Sequence, residues 1–267
     1  MIARQTCCAG ALTLALGGCA AEEAPRVELP VRVDCSRVTG AEATVTTDLG
    51  YAVTVTDARL ALGGLVFTIA GEVHTASLMQ RLSDALVPRA RAHPGHYQGG
   101  EVTGELPGDF ALRCGQDQDR ELGLATLIVG TYTAANFDFE RGSTALGLDA
   151  SDGLVGHTLW LSGTATRDEA SIAFTVILDS PLDRQLVGAP FDVTVPAEAT
   201  GALEFRFELL DDLEGDTLFD GVDFATLDTD TNGDVVIAPD VATVADAYNA
   251  LRRTFQTHDH FRVDYPE

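Results

Sequence analysis

The chain contains no lysine: all 17 of its basic residues are arginine, set against 41 acids. Schiff-base, P-loop and kinase-type lysine chemistry is thereby excluded. The resulting formal charge of −24 offers no positive footprint for a phosphate backbone, which argues against nucleic acid as a partner. There is no GxSxG elbow, no HExxH, and no GxGxxG opening a helix. Glu101 and Glu105 are a carboxylate pair only by spacing, and a solvated polar face accounts for them. The sequence thus carries no enzyme signature, and a non-enzymatic protein is expected. Beyond residue 19 there is no apolar run long enough to span a bilayer.

Cysteine is scarce too, and its five positions divide by location. Arg4, the apolar stretch from Ala9 to Gly18 and the sequence Leu16-Gly17-Gly18-Cys19 fit a lipoprotein signal with cleavage before Cys19, which would then carry lipid. An ordinary secretory signal cut elsewhere is the alternative; either places the mature chain outside the cytoplasm. Ala20 after the cysteine suits an outer-membrane address, giving a periplasmic or cell-surface protein anchored by lipid. Cys7 and Cys8 leave with the signal, so Cys35 and Cys114 remain as an even pair in an oxidising compartment. A disulfide is expected, worth about 4 kcal/mol for so long a loop in the chain-entropy model. A thiolate metal site is the alternative, without a CxxC partner to support it.

What is present is apolar alternation with period two. With 45% hydrophobic residues the chain can bury a core. "ATVTTD", "YAVTVTDARLAL", "LVFTIAGEV", "ELGLATLIVGTYTAANFDFE", "HTLWLSGTAT", "SIAFTVILD", "FDVTVP" and "LEFRFELL" read as strands separated by Gly, Asp and Pro clusters. The expected fold class is all-β, a two-sheet antiparallel sandwich with a short C-terminal helix. Leu78, Leu82 and Leu86 suggest a short helix before Pro88. Val241, Val244, Tyr248, Leu251 and Phe255 form one stripe, with Asp240 as its N-cap. Residues 1–19 are assigned to the signal, 20–30 to a polar tether and 31–267 to one domain.

Two segments carry candidate chemistry. In "AHPGHYQGGEVTGELPG", Pro94-Gly95 suits a type II turn that sets His93 and His96 side by side. His74 belongs to the same excursion, and His258 and His260 in "THDHF" would point the same way on an extended segment. Such a set suits copper or zinc, with Tyr97 or Glu101 as oxygen donors; a polar loop that merely contains imidazoles is the alternative. In "DTDTNGDVVIAPD", Asp228, Asp230, Asn232 and Gly233 match the first half of an EF-hand loop, with Asp234 binding through its carbonyl. Position twelve is Pro239, so Asp240 would be the ligand only if the loop ran one residue long; otherwise this is a weak acidic turn. Calcium here would be structural.

The order "TDLGYAVTVTDARLAL", "AHPGHYQGGEVTGELPG", "GVDFATLDTDTNGDVVIAPD" resembles a group of bacterial lipoproteins with an AHPGHY motif. It is distantly similar to the periplasmic copper-binding proteins encoded beside methanobactin genes (the MbnP family), β-sandwiches that hold copper with histidines and an oxidised tryptophan. The first resemblance implies His93 and His96 as ligands, and the second a periplasmic partner protein. Trp160 is the one tryptophan; "HTLWLSG" does not match that family's motif, and on a strand His157 and Trp160 would face opposite ways. The expectation is an extracytoplasmic metal-binding lipoprotein. A surface module binding protein or glycan, and a zinc-assisted hydrolase, are the alternatives.

Overall fold

The computed structural model describes residues 24–39, 43–69, 101–117, 119–182, 184–212 and 214–266, without the side chain of Glu101. The signal with Cys19, the helix expected near Leu82, and His74, His93, His96 and Tyr97 lie outside these. Among the described residues no helix is long and apolar enough to cross a membrane.

One long strand organises the rest. Strand β3, Ala52–Ile69, follows β1 (Arg26–Asp34), the short helix α1 (Ser36–Thr39) and β2 (Val45–Thr46). Along one edge β3 pairs antiparallel with β4 (Glu101–Cys114), from Ala58↔Cys114 to Ile69↔Glu101. Its other edge serves two neighbours. Residues 52–60 pair with β7 (Leu159–Arg167), and 62–68 pair with β6 (Gly130–Phe139). The change comes at Gly63-Gly64, where both registers slip. Gly64 has φ +30°, and a Cβ on Gly63 would stand 2.9 Å from Asp109 Oδ1 and 3.0 Å from Glu140 Cγ. Glycine lets the strand bend and be crowded from both sides.

From that hub, β8 (Ala170–Leu178) and β11 (Asp234–Ile237) extend the β7 wing, while β5 (Glu121–Ile128), β1, β10 (Leu203–Phe207) and β12 (Phe261–Asp264) continue from β4. Strand β9 (Gln185–Val195) pairs with β6. The protein is mostly β, as expected, but its sheet is mixed rather than antiparallel: β1 and β10 run parallel, as do β8 and β11. Both parallel partners return through long connections instead of hairpins, which alternation within a strand does not reveal.

Two boundaries also differ from expectation. Residues 26–30, placed in the tether, are the first half of β1, with Leu29 buried opposite Ala125. The second half of "AHPGHYQGGEVTGELPG" is strand: Glu101 to Gly108 belong to β4. Glycine and proline inside these strands hid them.

Aromatic rings on β6 pack across to β10 and β12, with Phe137 at 5.5 Å from Phe205 and 5.0 Å from Phe261. Phe67 and Tyr132 meet Phe191 of β9 at 5.2 and 5.4 Å. The interior is filled by side chains. Helix α2 is Phe224–Leu227 and helix α3 Ala245–Phe255, the latter burying Tyr248, Leu251 and Phe255 as its stripe requires. Asp240 does not cap it: a 3-10 turn over Ala242–Val244 precedes the helix, and Val244 holds the N-cap position without a side-chain bond. The disulfide joins Cys35 to Cys114 as expected, tying α1 to the end of β4.

Candidate functional site

The acidic loop between α2 and β11 is held at both ends. Tyr51, packed edge-on against Phe224 at 5.3 Å, donates its hydroxyl to Asp223 Oδ1 at 2.6 Å and accepts the Ala225 N–H at 2.9 Å. Burial, then the Asp223 bond, raises the Tyr51 pKa, and the same bond lowers that of Asp223. On the far side Val235 and Ile237 point into the core while β11 pairs with β8.

Between those anchors the side chains turn inward on the backbone. Asp228 accepts N–H groups of Asn232 (3.1 Å) and Gly233 (3.0 Å) through its two oxygens. Asp230 accepts the Asn232 side-chain amide at 3.0 Å, and Asn232 Oδ1 accepts the Asp234 N–H at 2.7 Å. Thr231 and Gly233 take positive φ, 56° and 78°, which closes the curl. Oxygen donors at alternating positions on a tightly curled backbone are what a hard cation requires. Two features depart from an EF-hand. Helix α2 has 4 residues, and the extended β11 carries Asp240 onward: among the described residues no three His, Cys, Asp or Glu side chains converge on one metal position. Asp228, Asp230 and Asn232 are the oxygen-bearing side chains linked within the loop.

The histidines divide by position. Residues 70–100, which carry His74, His93 and His96, leave β3 at Ile69 and re-enter β4 at its ladder partner Glu101. His258 and His260 are not on an extended segment but on a 3-10 turn. His260 is 1% exposed, and its Nδ1 donates to the Glu208 carbonyl at 3.1 Å. Burial pushes its pKa below the ordinary value. His258 Nδ1 lies 2.6 Å from Asp259 Oδ1, a contact that lowers the Asp259 pKa.

Phe261, next to His260, meets Phe139 edge-on at 6.2 Å, and Phe139 is the ladder partner of Leu62. His258 and His260 thus neighbour Phe261, whose ring contacts lie with Phe137, Phe139, Phe205, Phe207 and Phe255. His157 is engaged elsewhere, its Nδ1 2.8 Å from Asp179 Oδ1, which also meets Arg141 at 2.9 Å. Trp160 lies under the Arg59 guanidinium at 4.7 Å, so the two residues have separate surroundings.

Sequence reasoning missed two arginine-centred networks. Arg37 reaches both Glu208 (3.2 Å) and Asp212 (2.6 Å). Burial raises the Glu208 pKa, whereas the Arg37 bond lowers that of Asp212. Arg206 meets Asp34, Glu204 and Asp264 at 3.0, 2.7 and 3.0 Å on the outer face of β1, β10 and β12. Alternation marks those positions as outward, but their cross-strand neighbours follow from a register the sequence does not disclose. Comparison with protein-family models, with curated proteins and with solved structures finds no match to the chain.

Proposed function

We propose that the protein is an extracytoplasmic lipoprotein, anchored through Cys19 in the outer membrane, that binds a transition metal through His93 and His96. His74, on the same excursion, is the nearest further imidazole in the sequence. The observation that carries this reading is the Ile69↔Glu101 pairing: the described residues on either side of the histidine-bearing segment are neighbours in one sheet. On this reading His260 is occupied in the core by the Glu208 carbonyl and His258 by Asp259, so the excursion's own imidazoles are the first ligands. Imidazoles beside oxygen donors favour copper or zinc, and the resemblance to the copper-binding family favours copper with a periplasmic partner protein.

The fold that accompanies the proposal is a two-layer sandwich. Its second layer is β6 and β9, diverging from β3 at Gly63-Gly64 and packing rings against β10 and β12. Such a switch of sheets at a bulge is how sandwich corners form. Calcium, held by Asp228, Asp230, Asn232 and the Asp234 carbonyl, stiffens the junction of α2 with β11 and takes no part in capture.

Elemental analysis of the purified mature protein, beside the His93→Ala/His96→Ala double variant, tests the metal reading. Copper or zinc near one equivalent in the first and loss in the second is the expected result. Equal metal in both sinks it.

A further inference from the structure

Strand β12 runs beside β9 with no ladder between them among the described residues. Where they separate, a cleft of about 430 Å³ opens, within the roughly 300–1,000 Å³ range of small-molecule sites. Its polar lining is Asp192, Arg206, Arg262 and Asp264. Two cations and two anions make it formally neutral, in a chain whose net charge is −24.

The arrangement of those charges restricts the ligand. Asp264 is shared: Arg206 Nη1 stands 3.0 Å from its Oδ2 and Arg262 Nη2 3.1 Å from its Oδ1. Arg206 is further committed to Asp34 and Glu204. Arg262 meets Asp264 through Nη2 alone, but Asp264 and Asp192 line the cleft beside both guanidinium groups, so a carboxylate or phosphate would meet like charge there. A small cation meets the arginines. An apolar ligand would strip water from all four charges without replacing it. Groups that both donate and accept can use the remaining N–H groups and lone pairs without disturbing any pair, and hydroxyls do both.

The cleft also has an apolar side, made by Tyr265 with Pro190, Val193 and Pro266. Tyr265 is fixed in place: its hydroxyl accepts the Thr200 N–H at 3.0 Å and donates to the Thr200 carbonyl. A pinned ring next to prolines presents contact area with little rotamer entropy left to lose. Alternating donors and acceptors beside an immobile aromatic surface match a pyranose, which carries hydroxyls at its edge and C–H groups on its faces.

We propose that this cleft binds a neutral saccharide. The site stands apart from the metal reading and uses none of its residues. Ligand-observed saturation-transfer NMR on the mature protein tests it with glucose, galactose, N-acetylglucosamine, cellobiose, lactose and chitobiose. Glucuronate, glucosamine and glycine serve as the anionic, cationic and zwitterionic probes.

At least one neutral sugar should saturate at about 1–10 mM, and the charged probes should bind about tenfold more weakly or not at all. Tyr265→Ala should weaken the sugar about tenfold. Asp192→Ala, at an exposed position with no structural bond, should weaken it severalfold and guards against a folding defect in the first variant. The proposal is overturned if no neutral sugar saturates, if a charged probe binds as tightly, or if binding survives both substitutions.

Discussion

Two acidic stretches lie close together in the sequence and manage their charge in opposite ways. Between Glu208 and Asp223, four carboxylates each have a cation or a hydroxyl to answer them, and Asp211 accepts the Glu214 N–H at 3.2 Å. Arg37 serves Glu208 and Asp212; Thr217 serves Asp220 at 2.6 Å; Tyr51 serves Asp223, with Arg167 at 3.6 Å. From Asp228 to Asp234 the partners are backbone amides and one asparagine, and among the described residues no arginine comes within ion-pair distance. In the first stretch those four charges are matched within the fold. The second gathers negative charge on a curled backbone without a matching cation among the described residues, so a hard cation would act on it and not on the first.

Calcium should therefore act on one stretch and leave the other unaffected. At a concentration one hundred times its Kd it would add about 2.7 kcal/mol of stability. That corresponds to a melting shift of roughly 5–10 °C for a chain of this size. Asp230→Ala removes a donor whose other contacts are only to Asn232, and should abolish most of the shift. Differential scanning fluorimetry in calcium against EDTA measures both. No shift in the wild type would erase the contrast between the stretches.

The first stretch is broken by a different change. Arg37→Ala leaves the Glu208 carboxylate, 4% exposed, without its cation. Removing one partner of a fully buried pair costs about 3–5 kcal/mol; Arg37 is 40% exposed on its side chain, so water screens part of this and about 2 kcal/mol is expected. Because burial holds the Glu208 pKa above the ordinary glutamate value, the group protonates early on acidification. The gap between variant and wild type should be widest at neutral pH and narrow as pH falls through that raised value. Urea unfolding at a series of pH values follows it; a gap independent of pH would show that Glu208 is not the group left exposed to burial.

How much of this was legible in the sequence follows from which forces are local. The strands of β7 and β8 were visible because their buried and exposed positions alternate along most of their length, and β3 because it alternates at both ends of a fully buried middle. The α3 stripe was visible because helical spacing is also local. The parallel returns of β10 and β11, and the division of β3 between β6 and β7, depend on contacts distant in sequence and left no periodic trace. The same limit applies to the sites. Asp228, Asp230 and Asn232 curl within one short loop, so their spacing sufficed. The cleft collects Asp192, Arg206 and Asp264 from β9, β10 and β12, and no window on the sequence contains it. The expectation for "THDHF" shows the converse: spacing two apart implied a shared face only if the segment were extended, and a 3-10 turn removed that premise.

His260 supplies the smallest and most selective test, because it touches the first stretch from inside the core. Its pKa is lowered by burial; the Glu208 carbonyl, Asp259, Asp211 and Asp220 oppose this without reversing it. A base whose folded pKa lies below its unfolded value of about 6.5 stabilises the fold above that value. It withdraws the contribution as pH falls from there through the folded value, since the unfolded chain takes up the proton first. Glu208, whose pKa is raised, works in the other direction, gaining stability as it protonates. His260→Gln retains a donor for the Glu208 carbonyl and deletes only the titration. The variant should lose less stability than the wild type on going from neutral pH to just below 6, with copper and zinc content unchanged. Parallel profiles would mean that the imidazole is not held neutral by burial, and loss of metal would return His260 to the ligand set.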